Sequence, residues 1–378
     1  MMQKDFFISV LTLGLILCFT ACGEKKIAVK SELERVESFA LDVNDDYLQS
    51  YAGSFCYSTS ARIDGKQCLV VYNGKLHSVD ILNLTDCQPL RQVTLAKEGP
   101  DQILAPKGIG YYKDSFIIFT TNGLYRVGQD GKVLSKKLLN DLPQVKEDGY
   151  GIAVPGLSIY FSVYSFFGFD ASKGVVALPL YSYEKDATGE YPKKVLVISC
   201  DDWSIRNEVE IDCPDIIKKE GDMQLLSCIN VLPHGDWLIY NFPASSKVYV
   251  YDLSAKKSKE YDFPSTFTDS FFRLPDMNEE EPGFGCLKTG YYFPLCYDAY
   301  HDVFWRVQQG PLDGHGVAGK PFSVMCISTD LMNSAEYVIP AGSKIYPDLA
   351  FTDSLVLLPY TGGDKIGENN MCFYGLKY

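Results

Sequence analysis

The sequence predicts an all-β protein: a six-bladed β-propeller of four-stranded antiparallel blades, the last blade closed by a strand from the N-terminus. Three observations carry this expectation. Aromatic residues make up 13% of the 378-residue chain, with 26 Tyr and 22 Phe, a composition that favours strands over helices. Short apolar or alternating runs recur in sets of four with turn signals between them, and a sheet of that size needs copies beside it to bury its faces. The final set is one strand short, while a strand-like segment near the N-terminus has no partner beside it in sequence.

In chain order, residues 1–5 carry one lysine, residues 6–19 are almost wholly apolar, and small residues lead to Cys22. The apolar run is too short for an ordinary membrane-spanning helix and has the length of a secretory signal core. The segment resembles a bacterial lipoprotein signal, which implies removal of residues 1–21 and a diacylglycerol on Cys22. A plain secretory peptide, with Cys22 an incidental thiol, is the alternative. Residues 22–35 read as a tether and 36–378 as one domain. Gly23 after the cysteine implies, by the same resemblance, the outer membrane, with its face left open. Anchoring would rest on the acyl chains alone, at roughly 0.8 kcal/mol per buried CH₂.

Segment 36–43 is strand-like. The first set of four is 54–58, 67–72, 75–80 and 90–95, with Asn73-Gly74 as a hairpin signal. The second is 105–111, 115–120, 123–127 and 132–138. The third is 149–154, 157–163, either 175–180 or 195–200, and 205–211, with 181–194 as an exposed insertion. The fourth, 225–231, 237–240, 247–252 and 259–263, alternates most clearly. A long loop, 267–289, leads to the fifth: 291–297, 302–307, 322–328 and 336–339, interrupted by the glycine-rich loop 308–320. The sixth offers only 345–351, 354–359 and 371–376, so 36–43 supplies its fourth strand. A large β-sandwich or two β domains would be the alternative, but no linker of changed composition divides the chain.

Charge and cysteine content narrow the function. Forty-eight acids against 35 bases give a formal charge of -13 with no block of like charge, which argues against nucleic acid or an anionic membrane surface as a partner. Of 12 cysteines, Cys18 and Cys22 belong to the signal and anchor. The remaining even number permits pairing, with Cys200–Cys213 and Cys286–Cys296 as the local candidates. Cys68, Cys228, Cys326 and Cys372 lie in apolar runs, where a thiol behaves as a small hydrophobe.

The lipoprotein signal, the phrase KVYVYD at 247–252 and above all YDAYHDVFWR at 297–306 resemble the six-bladed propeller lipoproteins of unknown function from gut Bacteroidetes, broadly similar to TolB-like and NHL-type propellers. The resemblance implies the fold and an envelope location, and it brings no catalytic residues.

Candidate ligand-binding residues concentrate in the fifth set: Asp298, His301, Trp305, Arg306, Asp313 and His315. There Trp305 would stack on a sugar or aromatic ligand while Arg306 and the acids hydrogen-bond to it; in the competing reading Trp305 packs between blades and Arg306 pairs with an acid. His234 and Asp236 sit on a tight turn near a rim. Acidic residues 276–281 lack the spacing of a calcium loop, no histidine spacing reads as a zinc site, and no GxSxG, HExxH or Walker motif is present. The expected function is a lipid-anchored, monomeric envelope module binding a protein or glycan, without cofactor or metal. A polysaccharide hydrolase or lyase acting at the channel mouth is the alternative, since paired carboxylates in a β fold come from separated strands. A purely structural envelope component is a third reading.

Overall fold

The computed structural model describes residues 58–86, 88–104, 106–152, 167–186, 192–215, 228–266, 290–310, 321–339, 348–360 and 370–377, with 28–29, 35–42 and Ile345. Six antiparallel sheets follow one another around a central axis, and each blade is a meander whose first strand lies innermost. Blade 1 is Ser58–Ile63, Lys66–Asn73, Ser78–Asn83 and Gln88–Thr94. Blade 2 is Gly108–Tyr112, Ser115–Thr120, Gly123–Gly128 and Val133–Leu138. Blade 3 is Gly168–Asp170, Val175–Ser182, Lys193–Ser199 and Ile205–Ile211, with Tyr150–Gly151 also paired to its second strand. Blade 4 is Asn230–His234, Trp237–Asn241, Lys247–Asp252 and Lys257–Asp262.

Blade 5 begins with a split inner strand, Tyr291–Tyr292 and Cys296–Asp298, followed by Val303–Gln309, Phe322–Ser328 and Ser334–Ile339. Blade 6 combines Ala350–Phe351, Leu355–Tyr360 and Asn370–Lys377 with the N-terminal Arg35–Asp42 as its outermost strand. That last pairing is antiparallel, Arg35 opposite Leu376 and Asp42 opposite Asn370, with an irregularity between Val36 and Phe39. The closure expected from the missing strand is therefore present.

Local differences from the sequence reading have local causes. The inner strand of blade 1 is Ser58–Ile63 because Asp64 and Gly65, with φ of 50° and 75°, make a two-residue turn of the primed type that fits strand twist. Asn73-Gly74 does not close a two-residue hairpin. Asn73 is buried, its Nδ2 donates to Asp80 (2.8 Å) and its Oδ1 accepts from Leu76 N (3.1 Å), so the turn widens and the next strand starts at Ser78. In blade 3, 175–180 and 195–200 are not alternatives. They pair with each other, Val175 opposite Ser199 and Tyr181 opposite Lys193, and the expected insertion shrinks at both ends. The expected strand 157–163 lies outside the described residues. Ala28–Val29, assigned to the tether, pairs parallel with the outer strand of blade 5.

Second strands such as Lys66–Asn73 and Ser115–Thr120, and the third strand of blade 1, Ser78–Asn83, are buried on both faces because a neighbouring blade covers each side. Outer strands such as Lys257–Asp262 are mostly exposed. Cores therefore lie between blades, for instance Val70, Val79 and Ile81 with Ile109, Phe116 and Ile118 between blades 1 and 2.

The candidate Cys200–Cys213 pairing is not formed in the structure. Both are thiols, Cys200 in the core between blades 2 and 3 and Cys213 in the core of blades 3 to 6. They also sit at opposite ends of the seven-residue strand Lys193–Ser199, about 20 Å apart at strand rise. Cys296 is likewise a thiol, and its suggested partner Cys286 is outside the described residues.

Burial of phenols makes a pH prediction. Burial pushes Tyr240 and Tyr111 up to about 12. Their folded pKa values exceed the unfolded value of about 10, so their contribution is complete below pH 10 and is lost as pH rises from 10 to 12. Phenolate absorbance should therefore rise late, together with loss of near-ultraviolet dichroism. Complete ionisation near pH 10 with the dichroism intact would contradict the burial of these rings.

Candidate functional site

The innermost strands of all six blades enclose a central channel of about 840 Å³. Its wall is built from one short strand per blade, so residues far apart in sequence converge. Close approach of the inner strands of blades 2 to 4 depends on glycine. A Cβ on Gly108 would fall 2.0 Å from Phe167 Cε1, on Gly110 2.6 Å from Phe169 Cδ1, and on Gly168 2.4 Å from the carbonyl oxygen of Val231.

Some polar groups lining the channel already serve the ring. Asp170 Oδ1 accepts from Ser172 N (2.8 Å) and Ser172 Oγ (2.6 Å), while Oδ2 accepts from Gly235 N in the next blade (2.9 Å). Phe351 N donates to Ser60 Oγ (3.0 Å) and Asp353 N to Gln67 Oε1 (3.3 Å), joining blade 6 to blade 1. Others face the channel with capacity left. The exposed Arg62 guanidinium lies 5.6 Å from the centre of the Tyr300 ring, where its planar fork suits oxygen ligands. Asp353 is also exposed, and Thr59 and Lys107 line other parts of the wall. Carboxylate, guanidinium and aromatic groups thus meet where blades 5, 6 and 1 join.

The residues singled out in sequence are placed differently. Asp298, His301, Trp305 and Arg306 fall on one strand pair and its turn, but they look inward. Trp305 is 2% exposed, opposite Cys296 and Cys326 in the sheet, and packs in the core with Tyr337, ring centres 6.2 Å apart. Its ring is not offered to a ligand. Arg306, fully buried, donates to two carbonyls of blade 4, Nη1 to Ser246 O (2.9 Å) and Nη2 to Phe263 O (2.6 Å), and lies 4.3 Å above the Tyr292 ring. Burial lowers it to about 10. Its contacts are a latch between blades 4 and 5, made to carbonyls rather than to the expected acid.

Asp298 is fully buried and accepts from Tyr300 N (2.9 Å). His301 sits between Asp298 Oδ2 and the Asp353 carbonyl, 3.0 Å from each, which ties blade 5 to blade 6 beside the channel mouth. Asp313 and His315 lie outside the described residues, as do residues 276–281. His234 packs against Tyr297, ring centres 4.4 Å apart, and Asp236 pairs with Lys173 at 3.3 Å, so both join neighbouring blades. Among the described residues, no three His, Cys, Asp or Glu side chains are placed to hold a metal ion.

Sequence reasoning missed Thr59, Arg62, Lys107 and Asp353. The Asp64-Gly65 turn was the available signal for the first two, since it fixes 58–63 as the inner strand.

Six four-stranded sheets around a lined channel define the class, a six-bladed β-propeller. Within that class the chain belongs to the DUF4221 family, a domain of unknown function, whose model matches residues 33–332. A DUF4221 member from Bacteroides vulgatus is similar in structure at a TM-score of 0.67 and 16% identity, over 92% of this chain and 98% of that one. A candidate exported protein from Bacteroides fragilis aligns at a TM-score of 0.53 and 10% identity, over 93% and 98%. The expected resemblance to Bacteroidetes propellers is thus supported. No curated protein matches the chain.

Proposed function

We propose that this protein is a cell-envelope propeller, held by lipid on Cys22, that binds a glycan segment in its central channel. The observation that carries the reading is the channel. Its volume of about 840 Å³ falls in the range of ligand sites, roughly 300–1,000 Å³, and its wall combines the groups that recognise sugars. Arg62, Asp353 and Thr59 supply hydrogen bonds to hydroxyl or carboxylate oxygens, and Tyr300 supplies a ring face. The signal-like segment ending at Cys22 and the exported Bacteroides fragilis neighbour support an envelope address.

The test is direct binding of a panel of neutral and acidic oligosaccharides to the purified protein. Arg62→Ala and Asp353→Ala should each weaken binding at least about tenfold while melting stays unchanged. Cys22→Ala, which should leave the membrane fraction for the soluble one, keeps full binding and so separates attachment from recognition. The reading fails if no oligosaccharide binds, or if both channel variants bind like the parent. Release of shortened products would replace it with the hydrolase or lyase alternative.

A further inference from the structure

Two opposite charges beside the channel mouth are left unneutralised. The Arg62 guanidinium stands near the end of the inner strand of blade 1, where Nη1 donates to the Gly65 carbonyl at 3.3 Å and the centre of the Tyr300 ring lies 5.6 Å away. Among the described residues it has no ion-pair partner. Asp353 occupies the inner turn of blade 6, and its backbone is held from both sides. Its N–H donates to Gln67 Oε1 of blade 1 at 3.3 Å, and its carbonyl meets His301 Nε2 of blade 5 at 3.0 Å. The exposed carboxylate itself has no hydrogen-bond or ion-pair partner among the described residues. Asp170 on the same wall differs, since Ser172 and Gly235 occupy both of its oxygens. Burial raises the Tyr300 phenol, Arg62 opposes that rise and Asp353 adds to it, so both charges act on one hydroxyl without pairing with each other.

We propose that this corner selects a zwitterionic sugar segment, one that carries both a carboxylate and a free ammonium, with Arg62 taking the carboxylate and Asp353 the ammonium. With the channel read as a glycan site, on which this assignment rests, the two charges decide which glycan enters it. A purely acidic sugar meets Arg62 but brings its charge toward Asp353, and a purely basic one does the reverse. A neutral sugar leaves both charges unmatched, whereas a segment with both signs complements both. The planar fork of arginine holds a carboxylate through two parallel N–H donors, and the Asp353 carboxylate accepts from an ammonium in any rotation of that group. Because the Asp353 backbone is tied at its N–H and its carbonyl, the carboxylate is presented from a fixed turn, which lowers the ordering cost of binding.

The test compares four forms of one glucosamine–glucuronate tetrasaccharide: amine and carboxylate both free, amine acetylated, carboxyl reduced to the alcohol, and both modified. Calorimetry reads their binding to the purified protein at low and high salt. The form with both charges should bind most tightly, each single modification should weaken it about fivefold, and the preference should shrink as salt rises. Arg62→Gln should erase the preference for the carboxylate over the alcohol and keep that for the free amine, and Asp353→Asn should do the reverse, with the melting temperature of both variants unchanged. Equal binding of all four forms overturns the charge assignment and leaves the channel a glycan site, as does binding of other oligosaccharides but none of these four. Arg62→Gln that still prefers the carboxylate also overturns it. If no oligosaccharide of any kind binds, the glycan reading falls together with the assignment.

Discussion

A chain lacking residues 32–44 should melt about 10 °C or more below the intact protein and aggregate on warming. The deletion removes Arg35–Asp42, the outermost strand of blade 6, and with it the ladder from Arg35 opposite Leu376 to Asp42 opposite Asn370. Asn370–Lys377 then becomes an edge of open backbone donors and acceptors, a template for pairing with other chains. The loss is also topological. Arg35–Asp42 is the connection that brings both ends of the chain into one blade, so without it blade 6 is held by the C-terminal side alone. Calorimetry and light scattering read the two effects, and replacing the segment with Gly and Ser of equal length controls for simple shortening. An unchanged melt would mean that the pairing contributes nothing to the closed ring.

Arg306→Ala should be the most damaging single substitution, costing about 3–5 kcal/mol. It empties the volume of a fully buried side chain and leaves the carbonyls of Ser246 and Phe263 without their charged donors. Arg306→Met refills much of the space while leaving the carbonyls in the same position, so it should cost less. Denaturant unfolding of the two variants separates cavity from hydrogen-bond loss. If Arg306→Ala unfolds at the parent's midpoint, the contact between blades 4 and 5 does not depend on the guanidinium.

The two faces of one strand explain why the fold was legible and the candidate site was not. Trp305 and Arg306 are adjacent in sequence, and alternation sends one toward Tyr337 and the other toward Ser246. In a propeller both faces of a second strand are covered, so a tryptophan beside an arginine there reads as chemistry in sequence and as packing in space. The repeat itself was legible because each blade carries its own alternation and turns, as in Lys247–Asp252, and because the sixth set lacked a strand that 36–43 matched. The channel was not legible in the same way. It takes Thr59 and Arg62 from blade 1, Lys107 from the approach to blade 2 and Asp353 from blade 6, separations that no local pattern marks. Blade 3 was harder for a different reason: two apolar strands of similar character, Val175–Ser182 and Lys193–Ser199, looked like alternatives for one place.

Ala28–Val29 on the rim of blade 5 also sets the length of a leash. Only six peptide steps separate Ala28 from Cys22, a reach of about 20 Å even when fully extended. A propeller acylated at Cys22 is therefore not a kite on a long string. If Cys22 carries the proposed lipid, the propeller would ride close to the bilayer with the blade 5 rim as its near side, and a partner arriving from the membrane direction would meet that rim first.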